Sequence, residues 1–236
     1  MSYALSTSTL SIPSHDGQTF GAYLALPPKG VGPGLVLIQE IWGVNEHIRT
    51  VADQYALDGF VVLAPDMFWR QKPGVDLQYT PADSQMAYQY MNGLDGANAV
   101  KDLQATAQAL RARPELNGKI ASLGFCMGGR LSYALAATGA VDAAVCYYGG
   151  GIQNNLGAAA AIDVPILFHY AELDDHIPPT AVEAVRGAFA GRSNAQFHVY
   201  SGVGHGFNCW GRPMYQQRAA ALARGRTLQW LAENLG

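Results

Sequence analysis

Charged residues and cysteines are scarce in this chain, and each shortage excludes a class of protein. Asp, Glu, Lys and Arg make up 14% of the 236 residues, whereas an average soluble domain has about 25%. The formal net charge is −3, so the composition does not indicate a nucleic-acid partner. Three cysteines cannot all pair within one chain, which argues against a disulfide scaffold and for a reducing compartment.

Long apolar runs and targeting signals are also missing. No run reaches the roughly 18 consecutive apolar residues that span a bilayer. Residues 1–17 have neither the basic start nor the apolar centre of a secretory signal. We therefore expect a cytoplasmic protein without a membrane partner.

Metal-binding motifs are a third absence. The six histidines and three cysteines show no HxH, HExxH or CxxC spacing. We expect no metal and no cofactor, although spacing alone leaves open a site assembled from residues far apart in the chain.

Hydrophobic residues (49%) and glycine (27 residues) are abundant, and the length suits one domain over residues 1–236. An Asp16-Gly17 turn signal between two alternating runs predicts an N-terminal hairpin. Apolar runs that suit strands buried on both faces of a parallel sheet then alternate with helical patterns. The predicted strands are 9–13, 19–25, 34–39, 60–64, 120–125, 143–148, 165–170 and 196–200. The predicted helices are 46–58, 99–113, 130–138, 181–189 and 216–231. This alternation indicates an α/β fold with a mainly parallel sheet, and the polar stretch 69–83 is interpreted as a surface loop.

Residues 124–129 (GFCMGG) form a sharp strand-to-helix motif. It is the G-x-S-x-G nucleophile elbow with Cys126 at the serine position. Glycines are needed around the nucleophile because side chains there would collide across the turn. The alternative interpretation is a buried, inert cysteine at a tight turn.

A nucleophile of this kind needs an acid and a histidine later in the chain, in that order. Asp174 follows the strand predicted at 165–170, and His205 follows the strand at 196–200. Both therefore lie at the carboxyl edge of the sheet, as Cys126 does. The D-x-x-I-P pattern favours Asp174, with Asp175 as the alternative and Glu172 third.

With these motifs in place, the chain resembles the dienelactone hydrolase family of α/β-hydrolases over nearly its whole length. The resemblance rests on four segments: 39–45 (QEIWGVN), 124–129 (GFCMGG), 174–178 (DDHIP) and 204–207 (GHGF). It implies an α/β-hydrolase fold, with a mostly parallel sheet of about eight strands and helices on both faces. It also implies a Cys126–His205–Asp174 triad that hydrolyses a lactone or carboxylic ester through an acyl-thioester.

The resemblance assigns roles to three further residues. Glu40 would hydrogen-bond the Cys126 thiol in the resting enzyme and hold it protonated, since a neighbouring carboxylate raises a thiol pKa. The backbone N–H groups of Met127 and Ile41 would form the oxyanion hole.

At two positions the chain departs from the family pattern. Founding members bind a substrate carboxylate with two arginines, and the matching positions here are Ser84 and Cys209. Neither side chain can replace a bidentate guanidinium, although Arg70 and Arg212 are close in sequence. We therefore expect a cavity with few cations and a more neutral or bulkier substrate. The candidate substrate-binding residues are Trp42, Arg70, Ser84, Tyr88, Tyr147 and Cys209.

The leading prediction is a cysteine-dependent hydrolase whose partner is a small ester or lactone. A general esterase or thioesterase is the alternative within the same class. A non-catalytic ligand-binding protein is a second possibility. A thiol redox protein is a third, with Cys209 as the thiol that resolves Cys126. We expect a monomer or small homo-oligomer.

Overall fold

The computed structural model describes residues 5–236 and contains one eight-stranded sheet. The strands are β1 (Ser6–Pro13), β2 (Thr19–Leu26), β3 (Gly32–Ile38), β4 (Val61–Pro65), β5 (Leu116–Phe125), β6 (Ala143–Tyr147), β7 (Ile166–Ala171) and β8 (Ala195–Tyr200). Their order across the sheet is β1-β2-β4-β3-β5-β6-β7-β8. The strands β1 and β2 form the expected antiparallel hairpin, and β2 also pairs antiparallel with β4. The other neighbouring pairs are parallel, which confirms the predicted fold class.

Six α-helices connect or flank these strands: α1 (Glu46–Leu57), α2 (Pro81–Asn92), α3 (Gly96–Arg111), α4 (Met127–Ala136), α5 (Pro179–Ala188) and α6 (Gln217–Leu235). The side chains of Asn45, Thr80 and Asp95 cap α1, α2 and α3 by accepting backbone N–H bonds. Each is a residue type that satisfies a free amide at a helix start. No helix within residues 5–236 is long and apolar enough to cross a membrane.

Two adjacent residues of β6 show that the sheet is covered on both sides. The Cys146 thiol interacts with Ser132 of α4, whereas the Tyr147 hydroxyl lies 2.7 Å from Thr227 Oγ1 of α6. Successive side chains of a strand point to opposite faces, so α4 and α6 lie on opposite faces of the sheet. Because both faces of the sheet are buried, the central strands have consecutive apolar residues and not alternating ones.

The stretch 69–83 is only partly the surface loop that we expected. Trp69 and Val75 are buried in the core, and α2 already begins at Pro81. Its hydrophobic pattern is weak because Ala87 is the one α2 residue that is fully buried. The capping residue Thr80 followed by Pro81 was the available sequence signal for this helix start.

We expect Gly124→Ala to destabilise the fold and Gly225→Ala to stabilise it. A Cβ at Gly124 would lie 2.0 Å from the Gly128 carbonyl oxygen, so backbone would have to move. A Cβ at Gly225, inside α6, meets nothing within 4 Å. Overpacking costs about 1–3 kcal/mol or more, whereas Gly→Ala inside a helix gains up to about 1 kcal/mol. Urea unfolding of both variants measures the two effects, and equal stabilities would contradict the argument.

Candidate active site

Cys126 occupies a strained turn between β5 and α4. Its φ of 55° and ψ of −115° lie outside the regions that non-glycine residues prefer. The turn is tight enough that a Cβ at Gly128 would lie 2.4 Å from the Ile38 carbonyl oxygen. Such strain persists only where the surrounding structure enforces it. The elbow thus holds the thiol at the end of β5, at the start of a helix.

His205 and Asp174 meet beside this thiol, although 31 residues separate them. The Nδ1 atom of His205 lies 2.8 Å from Asp174 Oδ2. Asp174 Oδ1 accepts the backbone N–H groups of His176 and Ile177, at 2.9 and 3.0 Å. These bonds fix the carboxylate, which in turn orients the imidazole. Asp175, the alternative acid, has a side chain that is 82% exposed.

The free edge of the imidazole faces Cys126. Its Nε2 atom is buried and has no protein hydrogen-bond partner within residues 5–236. Burial alone would lower the pKa of His205, but the interactions with Asp174 and Cys126 outweigh burial and raise that pKa to about 10. The site therefore favours an imidazolium while its partners are negatively charged.

A cavity of about 300 Å³ opens over Cys126 and His205. Ile41 and Met127, the two predicted oxyanion donors, both line it. The amide of Met127 is at the first position of α4, where a helix N–H has no partner within the helix. The aromatic candidates Trp42 and Tyr88 also line the cavity.

Two arginines line the cavity, so the expectation of few cations is wrong. Arg212 lies with its guanidinium 4.6 Å from the centre of the Trp42 ring, and its side chain is only 13% exposed. Arg130 lies on α4, one turn after Cys126, against Gly151. Within residues 5–236, Arg130 makes no ion pair.

The position of Arg212 depends on the absence of a side chain at Gly206. A Cβ at Gly206, where φ is +80°, would lie 2.3 Å from Arg212 Nη1. The missing side chain therefore makes room for the guanidinium. The sequence did not indicate that Arg130 lines the cavity. Its position after the GFCMGG motif shows only that it lies near the start of a helix.

Glu40 does not make the expected hydrogen bond to Cys126. Its carboxylate is buried, 1% exposed, and neither oxygen has a hydrogen-bond partner within the described chain. Its closest cation is Arg212, with 3.8 Å between Nη1 and Oε1. Burial raises the pKa of Glu40, and the charges of Arg212 and His205 oppose that shift. The charged form of Glu40 is therefore stabilised by Arg212 and His205.

Tyr147 is not in the cavity. Its side chain is 1% exposed and bonds Thr227 on the α6 face, as the alternation of β6 dictates. The next residue, Tyr148, has its ring centre 5.1 Å from that of His205 and a strained φ of 35°. Tyr148 therefore packs against His205, but neither tyrosine lines the cavity, so the predicted substrate contact of Tyr147 is wrong.

The other three substrate-binding candidates also lie outside the cavity lining. Arg70 bonds Asp102 and Ser14 and pairs with Asp16, so its guanidinium ties the N-terminal hairpin to α3. Ser84 lies on α2 one turn before Tyr88, without reaching the cavity. Cys209 is fully buried, and its thiol lies 3.3 Å from the Tyr79 hydroxyl. These positions correct the predicted roles, because Arg70 and Cys209 contact other residues and Ser84 does not reach the cavity.

Comparison with known proteins agrees with this geometry. The model of the dienelactone hydrolase family matches residues 20–235. A carboxymethylenebutenolidase of Pseudomonas putida is 36% identical over 229 residues, covering 96% of each chain. A protein of Azospirillum brasilense, described as a putative carboxymethylenebutenolidase, is 39% identical over 233 residues, covering 96% of this chain and 99% of that one.

A solved structure shows the same architecture. The crystal structure of a putative dienelactone hydrolase from Klebsiella pneumoniae superposes with a TM-score of 0.85 at 29% identity, covering 97% of this chain and 99% of that one. The family match spans more than nine-tenths of the sequence, including the elbow, the acid and the histidine. The chain belongs to the dienelactone hydrolase family of α/β-hydrolases.

Proposed function

We propose that this protein is a cysteine-dependent hydrolase of lactones or carboxylic esters that carry an anionic group. One observation carries the proposal: Cys126 and His205 line the same cavity, and Asp174 lies 2.8 Å from Nδ1 of His205. The names of the curated relatives support the reaction class.

The first step is formation and attack of the thiolate. The thiol proton of Cys126 passes to Nε2 of His205, whose imidazolium is stabilised by Asp174. The thiolate sulfur then forms a bond to the substrate carbonyl carbon. The carbonyl oxygen takes the negative charge and is bound by the amides of Met127 and Ile41.

The second step releases the alcohol and then the acid. The carbon–oxygen ester bond breaks, and His205 returns its proton to the leaving oxygen. The acyl-thioester on Cys126 is then attacked by water, which loses its proton to the now neutral His205. Collapse of the second tetrahedral intermediate breaks the carbon–sulfur bond, and the Cys126 thiolate takes the proton back from His205. The balance is one ester and one water to one acid and one alcohol.

We infer an anionic group on the substrate from the positive charges that line the cavity. Arg130 and Arg212 are the two arginines that line the cavity around Cys126. A carboxylate suits guanidinium recognition, because two parallel N–H bonds can form. Trp42, Tyr88 and Met91 supply the apolar wall for the rest of the molecule.

A matched panel of a carboxylated lactone, its carboxylate-free analogue and a p-nitrophenyl ester tests the proposal. We expect Arg130→Gln and Arg212→Gln each to lower kcat/KM for the carboxylated lactone by about 10- to 100-fold, since a hydrogen bond to a charged group contributes about 1.5–3 kcal/mol. The neutral substrates should change by less than about threefold. Arg70→Gln is the control, because its guanidinium lies outside the cavity lining.

The same panel separates the alternatives. Intact mass spectrometry during turnover should show the acyl group on the protein and its absence after Cys126→Ala. If the arginine variants lost kcat/KM equally on charged and neutral substrates, the proposed anionic group would be wrong, but the hydrolase activity would still stand. A general esterase would turn over the neutral esters best, and a ligand-binding protein would be acylated once without turnover.

A further inference from the structure

Behind the cavity, three potential metal ligands from distant parts of the chain meet. Glu40 follows β3, His47 lies in the first turn of α1, and Cys209 lies in the segment between β8 and α6. One ligand atom from each lies within 4.8 Å of the other two. The three side chains are buried, with 1%, 4% and 0% exposure. This cluster shares no residue with the pair formed by His205 and Asp174.

Two members of the cluster carry polar atoms that nothing in the described chain satisfies. Both carboxylate oxygens of Glu40 and both ring nitrogens of His47 are buried without a hydrogen-bond partner. Buried side-chain polar atoms in folded proteins are nearly always bonded. An imidazole with both nitrogens unpaired is costly unless another group binds there.

The chemistry of these atoms is that of a zinc ligand set. Both ring nitrogens of His47 are buried and unpaired within the described chain, so the one without a proton can donate its lone pair. Thiolate sulfur, imidazole nitrogen and carboxylate oxygen are the three ligand types that Zn²⁺ takes, at about 2.0–2.3 Å. Ligands around one tetrahedral ion lie about 3–4 Å apart, so small side-chain adjustments would close the cluster.

We propose that Glu40, His47 and Cys209 bind a thiophilic divalent transition-metal ion, with Zn²⁺ as the best match. The Tyr79 hydroxyl lies 3.3 Å from Cys209 Sγ and borders the site. Binding converts the Cys209 thiol to a thiolate, and its proton leaves to solvent. The ion then takes the place of Arg212 as the counter-charge of Glu40.

A separate route leads to this site from the surface. A second cleft of about 300 Å³ reaches His47 and Tyr79 and shares no lining residue with the cavity over Cys126. Trp210 borders this cleft, with its ring centre 4.2 Å from that of His47. An ion can therefore reach His47 without passing the thiol of Cys126.

Cobalt is the probe that tests the site, because a cobalt–thiolate bond gives a near-ultraviolet charge-transfer band. In full-length Cys126→Ala protein, which lacks the thiol that lines the cavity, we expect Co²⁺ to produce this band at one equivalent and Zn²⁺ to abolish it. Cys209→Ser and His47→Gln should weaken binding by more than about 100-fold, since loss of a residue that only hydrogen-bonds a metal ligand already costs about 10- to 100-fold. Cys146→Ser and His198→Gln are the controls, because both residues lie outside the cluster.

A further variant keeps the proposal falsifiable if a ligand variant does not fold. Arg212→Gln retains all three ligands but removes the cation that lies 3.8 Å from Glu40, so Zn²⁺ should bind about tenfold more tightly. Circular dichroism checks folding in each case. The site is rejected by any of three results: no charge-transfer band, a band that survives Cys209→Ser, or no gain in affinity in Arg212→Gln.

Discussion

Replacing Cys126 by alanine is expected to lower kcat on every ester or lactone substrate by at least about 10⁴-fold. The Cys126 thiol lines the cavity beside His205, which is oriented by Asp174. Removing the nucleophile of a comparable triad costs up to about 10⁶-fold in kcat. Oxyanion binding and substrate positioning survive the change, so a small residual rate should remain.

Cys146→Ala is the matched control for this variant. Cys146 is a free thiol with no exposed surface, and burial raises its pKa strongly. It should therefore be inert, and its variant should keep wild-type kcat after correction for stability. Steady-state rates on one verified substrate decide the question. If Cys126→Ala turned over at the wild-type rate, the thiol would not be the nucleophile.

Asp174→Asn is expected to lower kcat by about 10³- to 10⁴-fold without unfolding the protein. The amide oxygen can still accept the N–H groups of His176 and Ile177. The amide nitrogen, however, donates to His205 Nδ1, which forces the proton of the neutral ring onto Nε2, the edge that faces Cys126. A ring in this tautomer cannot accept the thiol proton, and the equivalent change in serine proteases costs about 10⁴-fold.

The same substitution should lower the pKa of His205. Asp174 is one of the groups that raise this pKa to about 10, whereas burial opposes the shift and is unchanged by the substitution. The imidazolium that forms opposite the Cys126 thiolate should therefore lose its proton at a lower pH in the variant. Nuclear magnetic resonance of the ring measures the change.

Asp175→Asn is the control, because the Asp175 side chain is 82% exposed and contributes no bond to His205. Its kcat should stay within about twofold of wild type. If Asp175→Asn instead produced the large loss and Asp174→Asn did not, the acid would have been assigned to the wrong carboxylate.

The strands β3 to β7 were predictable because they bury apolar side chains on both faces, and β1 and β2 because their apolar and polar residues alternate. The helix α2 was missed since its exposed sequence has only a weak apolar stripe. Cys126, His205 and Asp174 were identifiable because the fold requires a fixed chain order and places strand ends on one edge. These three residues lie in short turns that follow strands, and such turns have characteristic sequence motifs.

The sequence by itself determined the sheet, the elbow and the family. Only the tertiary structure decided the charge and shape of the cavity. Whether Arg212 reaches Trp42 and Glu40, while Arg70 turns to Asp102, depends on long side chains meeting across elements that are remote in the chain. The cluster of Glu40, His47 and Cys209 has the same origin, because residues at unrelated spacings become neighbours only when strand, helix and loop are packed together.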